Sequence, residues 1–546
     1  MTAKNTHRWP EGAIVYQIYP RSFNDSNADG IGDIPGIITK LDYLKDLGVN
    51  ALWLSPFYPS PMADFGYDVA DYCNVDPIFG SLSDMDKLVT QAHAKDIRII
   101  VDLVPNHSSD EHAWFEQSKQ SREGAYADWY IWRDPAGQDK QGKPLVPNNW
   151  VNVFSGESAW EWEPARQQFY LHSFHAGQPD LNWSNPKVRG AIKDVMRFWL
   201  DRGVDGFRVD AVPFMAKDPQ FRDDPLNPHY KPGKDNPYNQ VDHKNSMAWP
   251  AVHAYLSEMA AVLKEEPYVD SERFMVTEGY PQTPDTITEY LAYYEGMDPS
   301  VAAPFNFEGL SLPWQAADWR EFLANFHKAL DDFSPLCVSS YAFGNHDQPR
   351  LVSRLGEPAA RSAAVLLLTL PGMSFIYNGD EIGMKNGTIP DALVQDPGAA
   401  GGSGRDPERT PMQWTAGPNA GFSAAKTTWL PVADTYPTHN VEVELQEPES
   451  FLSLYRALGA LRNQSKALRY GKFSIFDTAN KAVLGYSRTF EDEVQTVLVN
   501  FSDTAQTVSL KANMGELVVS STSQTKLQSA PAGKIQLQPN EAVVLS

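Results

Sequence analysis

Four segments carry acidic, basic and imidazole side chains just where an apolar run ends. Asp102, Asn106 and His107 close IRIIVDLVPNH, Arg208 and Asp210 close VDGFRVDA, Glu278 closes RFMVTEG, and His346 and Asp347 close SSYAFGNHD. Arg208 and Asp210 stand two apart on what reads as a strand, so both side chains point to one side. A guanidinium there is expected to keep the neighbouring carboxylate ionised, as a nucleophile requires. Glu278 follows the apolar RFMV, where partial desolvation would raise its pKa toward that of a general acid. One ionised and one protonable carboxyl about 5–5.5 Å apart are what retaining glycoside cleavage needs. A structural ion pair accounts for any one of these residues, but not for a set repeated at successive strand ends.

A second group of oxygens lies in NDSNADGIGD, Asn24 to Asp33. Asp25, Asn27, Asp29 and Asp33 with the Ile31 carbonyl supply five oxygens, which with water suit Ca²⁺ or Mg²⁺. The spacing matches the first half of an EF-hand loop, yet position 12 counted from Asp25 is Gly36, and a strand rather than a helix leads in. The expectation is one structural divalent cation pinning a loop, and no organic cofactor. The alternative is an acidic turn satisfied by its own backbone.

The elements that must position these residues alternate. Apolar runs read as strands at Ala13–Pro20, Ala51–Pro56, Ile97–His107, Val204–Ala211, Arg273–Gly279, Ala303–Gly309, Ser339–Asp347 and Met373–Glu381. Amphipathic stretches between them, such as IPGIITKLDYLKDLG, KVRGAIKDVMRFWLDRG and Met247 to Glu266, have helical spacing. Eight such units predict a (β/α)₈ TIM barrel over residues 1–107 and 180–470. Two insertions interrupt it: domain B at 108–179, rich in Trp, Asp and Gly, and a long, partly mobile loop at about 383–447. From 471 to 546 the pattern alternates, which predicts a C-terminal antiparallel β-sandwich.

Composition narrows the partners. A formal charge of −23 disfavours nucleic acid and anionic membrane surfaces and fits a neutral small molecule. The 15 Trp and 23 Tyr suit stacking on sugar rings. With only Cys73 and Cys337 there is no disulfide framework, and no apolar run reaches the ~18 residues that span a bilayer. The segment MTAKNTHRWPEG lacks the apolar core of a signal peptide, so the expectation is a soluble cytoplasmic protein, monomer or homodimer.

DLVPNH, GFRVDA, VTEG and FGNHD, in that order, resemble the four signature regions of glycoside hydrolase family 13, the α-amylase family. QPDLNW (Gln178–Trp183), VYQIYPRSF, NGDEIGM and RDPERTPMQW (Arg405–Trp414) are similar to segments of its α-glucosidase, maltase and oligo-1,6-glucosidase subgroup. The resemblance covers the whole chain. It implies Asp210 as nucleophile, Glu278 as acid/base, and Asp347 as a third carboxylate that grips sugar hydroxyls. It implies Arg208, His107 and His346 around the −1 sugar, with Asp64, Tyr67, Gln178 and Arg409 as further contacts, and Asp102 as a support for Arg208. Thr277 departs from the Gly that many relatives carry before the acid/base.

Linkage preference is read from the residue after the nucleophile. In the resemblance Val goes with α-1,6 activity and Ala or Thr with α-1,4; here it is Ala211. A difference of one or two methyl groups is worth only about 1–3 kcal/mol of discrimination. The resulting expectation is an exo-acting α-glucosidase on maltose-like substrates, with transglucosylation on the same covalent intermediate. The alternatives are an oligo-1,6-glucosidase, a sucrose hydrolase, a trehalose synthase-like glucosyltransferase, and more remotely a non-catalytic carbohydrate-binding homologue.

Overall fold

A computed structural model describes residues 7–398, 404–509, 515–522, 529–530 and 533–546. All eight apolar runs form strands: β1 (Ile14–Ile18), β2 (Ala51–Leu54), β3 (Arg98–Leu103), β4 (Gly206–Val209), β5 (Phe274–Thr277), β6 (Ala302–Pro304), β7 (Ser340–Ala342) and β8 (Met373–Tyr377). They pair in parallel in the order β6-β5-β4-β3-β2-β1-β8-β7. A parallel bridge between Asn306 and Tyr341 joins β6 to β7, with the Asn306 amide donating to the Ser340 carbonyl at 2.7 Å, and the ring closes. Every residue of β1, β2, β4 and β5 is buried, because parallel strands are covered on both faces.

Helices between the strands start where capping residues stand. Ser81 and Asp84 form a reciprocal capping box on Leu82–His93, and Asn185 caps Pro186–Asp201. The helix expected after β1 is two short ones, Ile34–Thr39 and Leu41–Asp46, the first capped by Asp33. The helix expected from Met247 starts only at Ala251, because Pro250 biases the residue before it away from helical geometry.

Three connections leave the barrel rhythm, where two were expected. After β3, an antiparallel sheet of Trp132–Arg133, Gln168–Leu171 and Trp160–Glu163 packs on its own core of Trp150, Trp160 and Phe169. After β8, the loop at 383–447 brings Arg405 and Arg409 to Asp64 and Asp347 at the barrel mouth, residues 399–403 lying outside the described part. The unexpected third, 210–250 after β4, holds two short 3₁₀ turns and a single antiparallel bridge between Leu226 and Val241. Its Pro, Asn and Asp content is that of a long loop.

Beyond the barrel, one sheet joins Lys472–Phe476, Val483–Phe490, Glu493–Asn500, Ala542–Leu545 and Leu517–Ser520, and a second joins Gln506–Ser509, Lys534–Leu537 and Ser529–Ala530. All pairings are antiparallel. Val483, Leu498 and Val543 of the first sheet share a core with Val508 and Leu537 of the second, which makes a sandwich. Among the described residues no helix is long and apolar enough to cross a membrane.

Candidate active site

The C-terminal ends of β3, β4, β5 and β7 bring the predicted polar residues to one mouth. A cavity of about 520 Å³ opens there, lined by Asp64, Tyr67, His107, Asp210, Ala211, Glu278, Asp347 and Arg405 among others. At its floor lies Arg208, 1% exposed. Its Nη1 donates to Asp102 Oδ1 and Oδ2 at 2.8 and 3.0 Å and to Asp210 Oδ1 at 2.8 Å, and its Nη2 lies 2.5 Å from Glu278 Oε2. One cation therefore serves three carboxylates. Asp102 is fully buried, also accepts from Trp53 Nε1, and acts as the support expected of it.

The Asp210 carboxyl is pushed in the direction opposite to expectation. Burial pushes its carboxyl well above the usual range; Arg208 opposes this, but Glu278 and Asp102 add to it. Arg208 pulls the Asp210 carboxyl down but does not outweigh its burial. Asp210 thus sits in a buried site beside a second carboxyl, Glu278, and that like charge adds to the rise.

Ala211 has left-handed backbone angles, φ 46° and ψ 39°, and this turn aims its amide at Glu278 Oε2 at 3.2 Å. The Val212 amide donates to the Glu278 carbonyl at 3.0 Å. The segment after the candidate nucleophile therefore clamps the candidate acid/base as well as lining the cavity.

Asp347 stands on the opposite wall. Arg409 Nη2 and Arg405 Nη1 donate to its Oδ1 at 2.6 and 3.1 Å, and His346 Nε2 lies 3.3 Å from its Oδ2. Burial would raise this carboxyl, but His346, Arg405, Arg409 and Arg208 overcome it and hold it well below the usual range. Burial pushes His346 itself down to about 3, so the imidazole is neutral and the guanidinium groups supply most of the positive charge.

The remaining predicted contacts form one hydrogen-bonded shell. Tyr67 stacks on His346 with ring centroids 5.3 Å apart, and its hydroxyl lies 2.6 Å from His346 Nε2 and 3.2 Å from Asp102 Oδ2. Gln17 Nε2 donates to His346 Nδ1 at 2.8 Å. His107 Nδ1 accepts from Asn106 Nδ2 at 3.2 Å, which leaves Nε2 to donate to the Tyr67 carbonyl at 3.1 Å. Burial pushes His107 down to about 4, so it too is neutral. Gln178 Nε2 donates to Asp64 Oδ2 at 3.2 Å.

Arg405, which sequence reasoning missed, ties the wall together. Its Nη2 donates to Asp64 Oδ1 at 2.7 Å and to Asp396 Oδ1 at 2.7 Å, while Nη1 holds Asp347. It opens the very segment RDPERTPMQW from which Arg409 was chosen, so an arginine four residues earlier was the available signal. Phe154, Phe174, Phe214, Tyr238, Met247 and Tyr280 also line the cavity, several of them on the long connections after β3 and β4.

In the loop after β1 the oxygens serve the loop's own amides. Asp25 Oδ1 accepts from Asn27 and Ala28, Asp25 Oδ2 from Gly30, Asn27 Oδ1 from Asp29, and Asp29 Oδ1 from Ile31. Asp33 caps the next helix and also accepts from Ser26. Among the described residues no group of three or more His, Cys, Asp or Glu converges as metal ligands would. Carboxylate oxygens keep spare lone pairs, so the donor chemistry suits an ion while the geometry does not gather around one.

Residues 17–471 match the family model described as the α-amylase catalytic domain. An α-glucosidase of Apis mellifera is 41% identical over 92% of this chain and 87% of its own length. An oligo-1,6-glucosidase of Parageobacillus thermoglucosidasius is 39% identical over 91% of both. The crystal structure of an α-glucosyl transfer enzyme, XgtA, superposes with a TM-score of 0.88 at 38% identity, covering 99% of this chain and all of that one.

Proposed function

The chain belongs to the α-amylase family of glycoside hydrolases, and from that premise we propose that it is a retaining, exo-acting α-glucosidase that releases glucose from short α-1,4 glucosides such as maltose. One observation carries the reading. A single guanidinium binds both Asp210 and Glu278, at 2.8 and 2.5 Å, at the floor of a cavity whose far wall Arg405 closes by bridging Asp64 and Asp347. Two carboxyls sharing one guanidinium favour the short spacing of a retaining pair over the wider gap that admits a water between inverting ones. The closed wall favours a chain end over the middle of a polymer.

In this reading Glu278 enters as the proton donor and Asp210 as the nucleophile that attacks the anomeric carbon. Glu278 gives its proton to the departing oxygen, and a covalent glucosyl–Asp210 ester forms. Glu278 then takes a proton from water, which opens the ester with overall retention. Asp347, kept anionic by Arg405 and Arg409, accepts hydrogen bonds from ring hydroxyls, and the neutral rings of His107 and His346 flank the sugar. A sugar in place of water gives transfer, and the aromatic lining from Phe154, Phe174 and Tyr280 favours a sugar face at that position.

The test is product analysis on maltose, isomaltose, sucrose, trehalose and starch. Maltose cleaved fastest, with α-glucose as first product and longer oligosaccharides at high maltose, is the expected result. Isomaltose cleaved well above maltose would overturn the reading of Ala211, and preferential attack on starch would overturn the closed pocket.

The same reading divides the chain into a barrel at 1–107 and 180–470, domain B at 108–179 and a C-terminal domain at 471–546. It places a monomer or homodimer in the cytoplasm, supported by free Cys73 and Cys337. A divalent cation on Asp25, Asn27, Asp29, Asp33 and the Ile31 carbonyl rests on their spacing; bound there, it would stiffen the turn between β1 and the helix at Ile34. Calcium should then raise the Tm and a chelator lower it, and identical melts with either would remove the ion from the reading.

A further inference from the structure

A second cavity, also about 520 Å³, lies at the other end of the barrel, where Ser339 and Gly372 precede β7 and β8 and the C-terminal sandwich packs beneath. Its wall carries Arg8, Arg469, Lys472 and Arg488 against Glu11 and Asp331. In a chain of formal charge −23 this is a local reversal of sign. Glu11 is already engaged, 3.1 Å from Arg8 Nε and 3.2 Å from His7 Nδ1.

The other three cations have no carboxylate partner among the described residues. Arg488 is 1% exposed and donates only to carbonyls: Gly471 at 3.2 and 3.1 Å and Thr369 at 2.9 Å. Behind it, fully buried Arg462 donates only to the carbonyls of Gly12, Leu368, Leu370 and Gly372. Arg469 makes no side-chain hydrogen bond among the described residues. Its Nε is enclosed without a partner, and its guanidinium lies over the Tyr470 ring at 4.8 Å. Buried guanidinium groups without counter-charge are costly, and burial pushes Arg462 down to about 9 and Arg488 to about 10.

We propose that this cavity binds a small phosphate-type oxyanion, either inorganic phosphate or the phosphate of a small metabolite, between Arg469 and Arg488 with Lys472 at the rim. The planar fork of arginine matches such an anion two bonds at a time. Arg469 lies on the helix Lys466–Tyr470 and Arg488 on the strand Val483–Phe490, so the anion would bridge barrel and sandwich. Its charge would also offset Arg462, which holds together the carbonyls leading into β1 and β8.

Thermal melts of the full chain in potassium phosphate, against potassium chloride at equal ionic strength, test this. Phosphate should raise the Tm by about 2 °C or more at saturation, with a half-saturating concentration that reads affinity. Arg469→Gln and Lys472→Gln, the first half-buried and the second exposed, should abolish or weaken the shift and leave maltose turnover unchanged. A larger shift at lower concentration with glucose 6-phosphate assigns a phosphorylated metabolite, and an equal or smaller one assigns inorganic phosphate. No shift beyond chloride overturns the site. So does a shift that survives Arg469→Gln, or one lost in Arg405→Ala, which would put the anion in the catalytic cavity.

Discussion

Glu278 Oε2 lies 2.5 Å from Arg208 Nη2, and the same oxygen accepts the Ala211 amide at 3.2 Å. The carboxyl assigned as acid is thereby fixed by a cation and by the backbone of the residue after the nucleophile. Gln at 278 would keep the shape and one acceptor but has no proton to give. Glu278→Gln should cut kcat/KM on maltose by about 10²–10⁴-fold, the usual worth of general acid–base catalysis. α-Glucosyl fluoride, whose leaving group needs little protonation, should lose far less in its first step. Equal losses on both substrates would remove Glu278 from the acid role.

Asp210→Asn keeps the side-chain volume and an acceptor for Arg208 Nη1 but cannot form the ester. Turnover should fall by on the order of 10⁴-fold or more, as when other covalent nucleophiles are removed. The melting curve should stay cooperative. Burial already disfavours the charge on Asp210 and Asn keeps the acceptor for Arg208, so the fold loses little and the Tm should hold. Retained activity would sink the mechanism; a collapsed Tm would contradict the charge account.

Arg405→Ala removes one of the guanidinium groups that hold Asp347 far below the usual carboxylate range. The Asp347 pKa should therefore rise. Because that residue must be ionised to accept sugar hydroxyls, the acidic limb of kcat/KM should move to higher pH. KM for maltose should rise by about 10–100-fold, the worth of one or two charge-assisted hydrogen bonds. An unmoved acidic limb would show that Arg405 does not set the state of Asp347.

These residues were not equally visible in the chain. Buried parallel strands read as continuous apolar runs, so all eight could be counted, and reactive groups at strand ends follow from the barrel itself. Arg405 reaches Asp64 across 341 positions and Asp347 across 58, and no local spacing announces such contacts. The state of Asp210 was misjudged for a similar reason. Arg208 is its neighbour on one strand, but the fold buries the carboxyl, and Glu278 and Asp102, arriving from β5 and β3, add to that burial. The connection at 210–250 was passed over because Pro-rich and Asn-rich stretches carry no periodicity to read.

Glu444 gives a pH dependence of stability away from the reaction. Burial pushes its carboxyl up to about 8, with Glu381 and Glu357 adding to this and the Leu452 amide, donating to Oε2 at 3.0 Å, opposing it. Its ordinary value is near 4.5. Below that value both folded and unfolded chains carry the proton and the group is neutral to stability. Between about 4.5 and 8 the unfolded chain releases the proton while the folded chain keeps it, so stability falls as pH rises through this window. Glu444→Gln keeps an oxygen for the Leu452 amide and does not titrate. The Tm of the variant should match that of the parent near pH 5 and exceed it by about 2–5 °C near pH 8. Melting curves of the two proteins that stay parallel from pH 5 to 8 would mean that Glu444 is ionised in the folded chain.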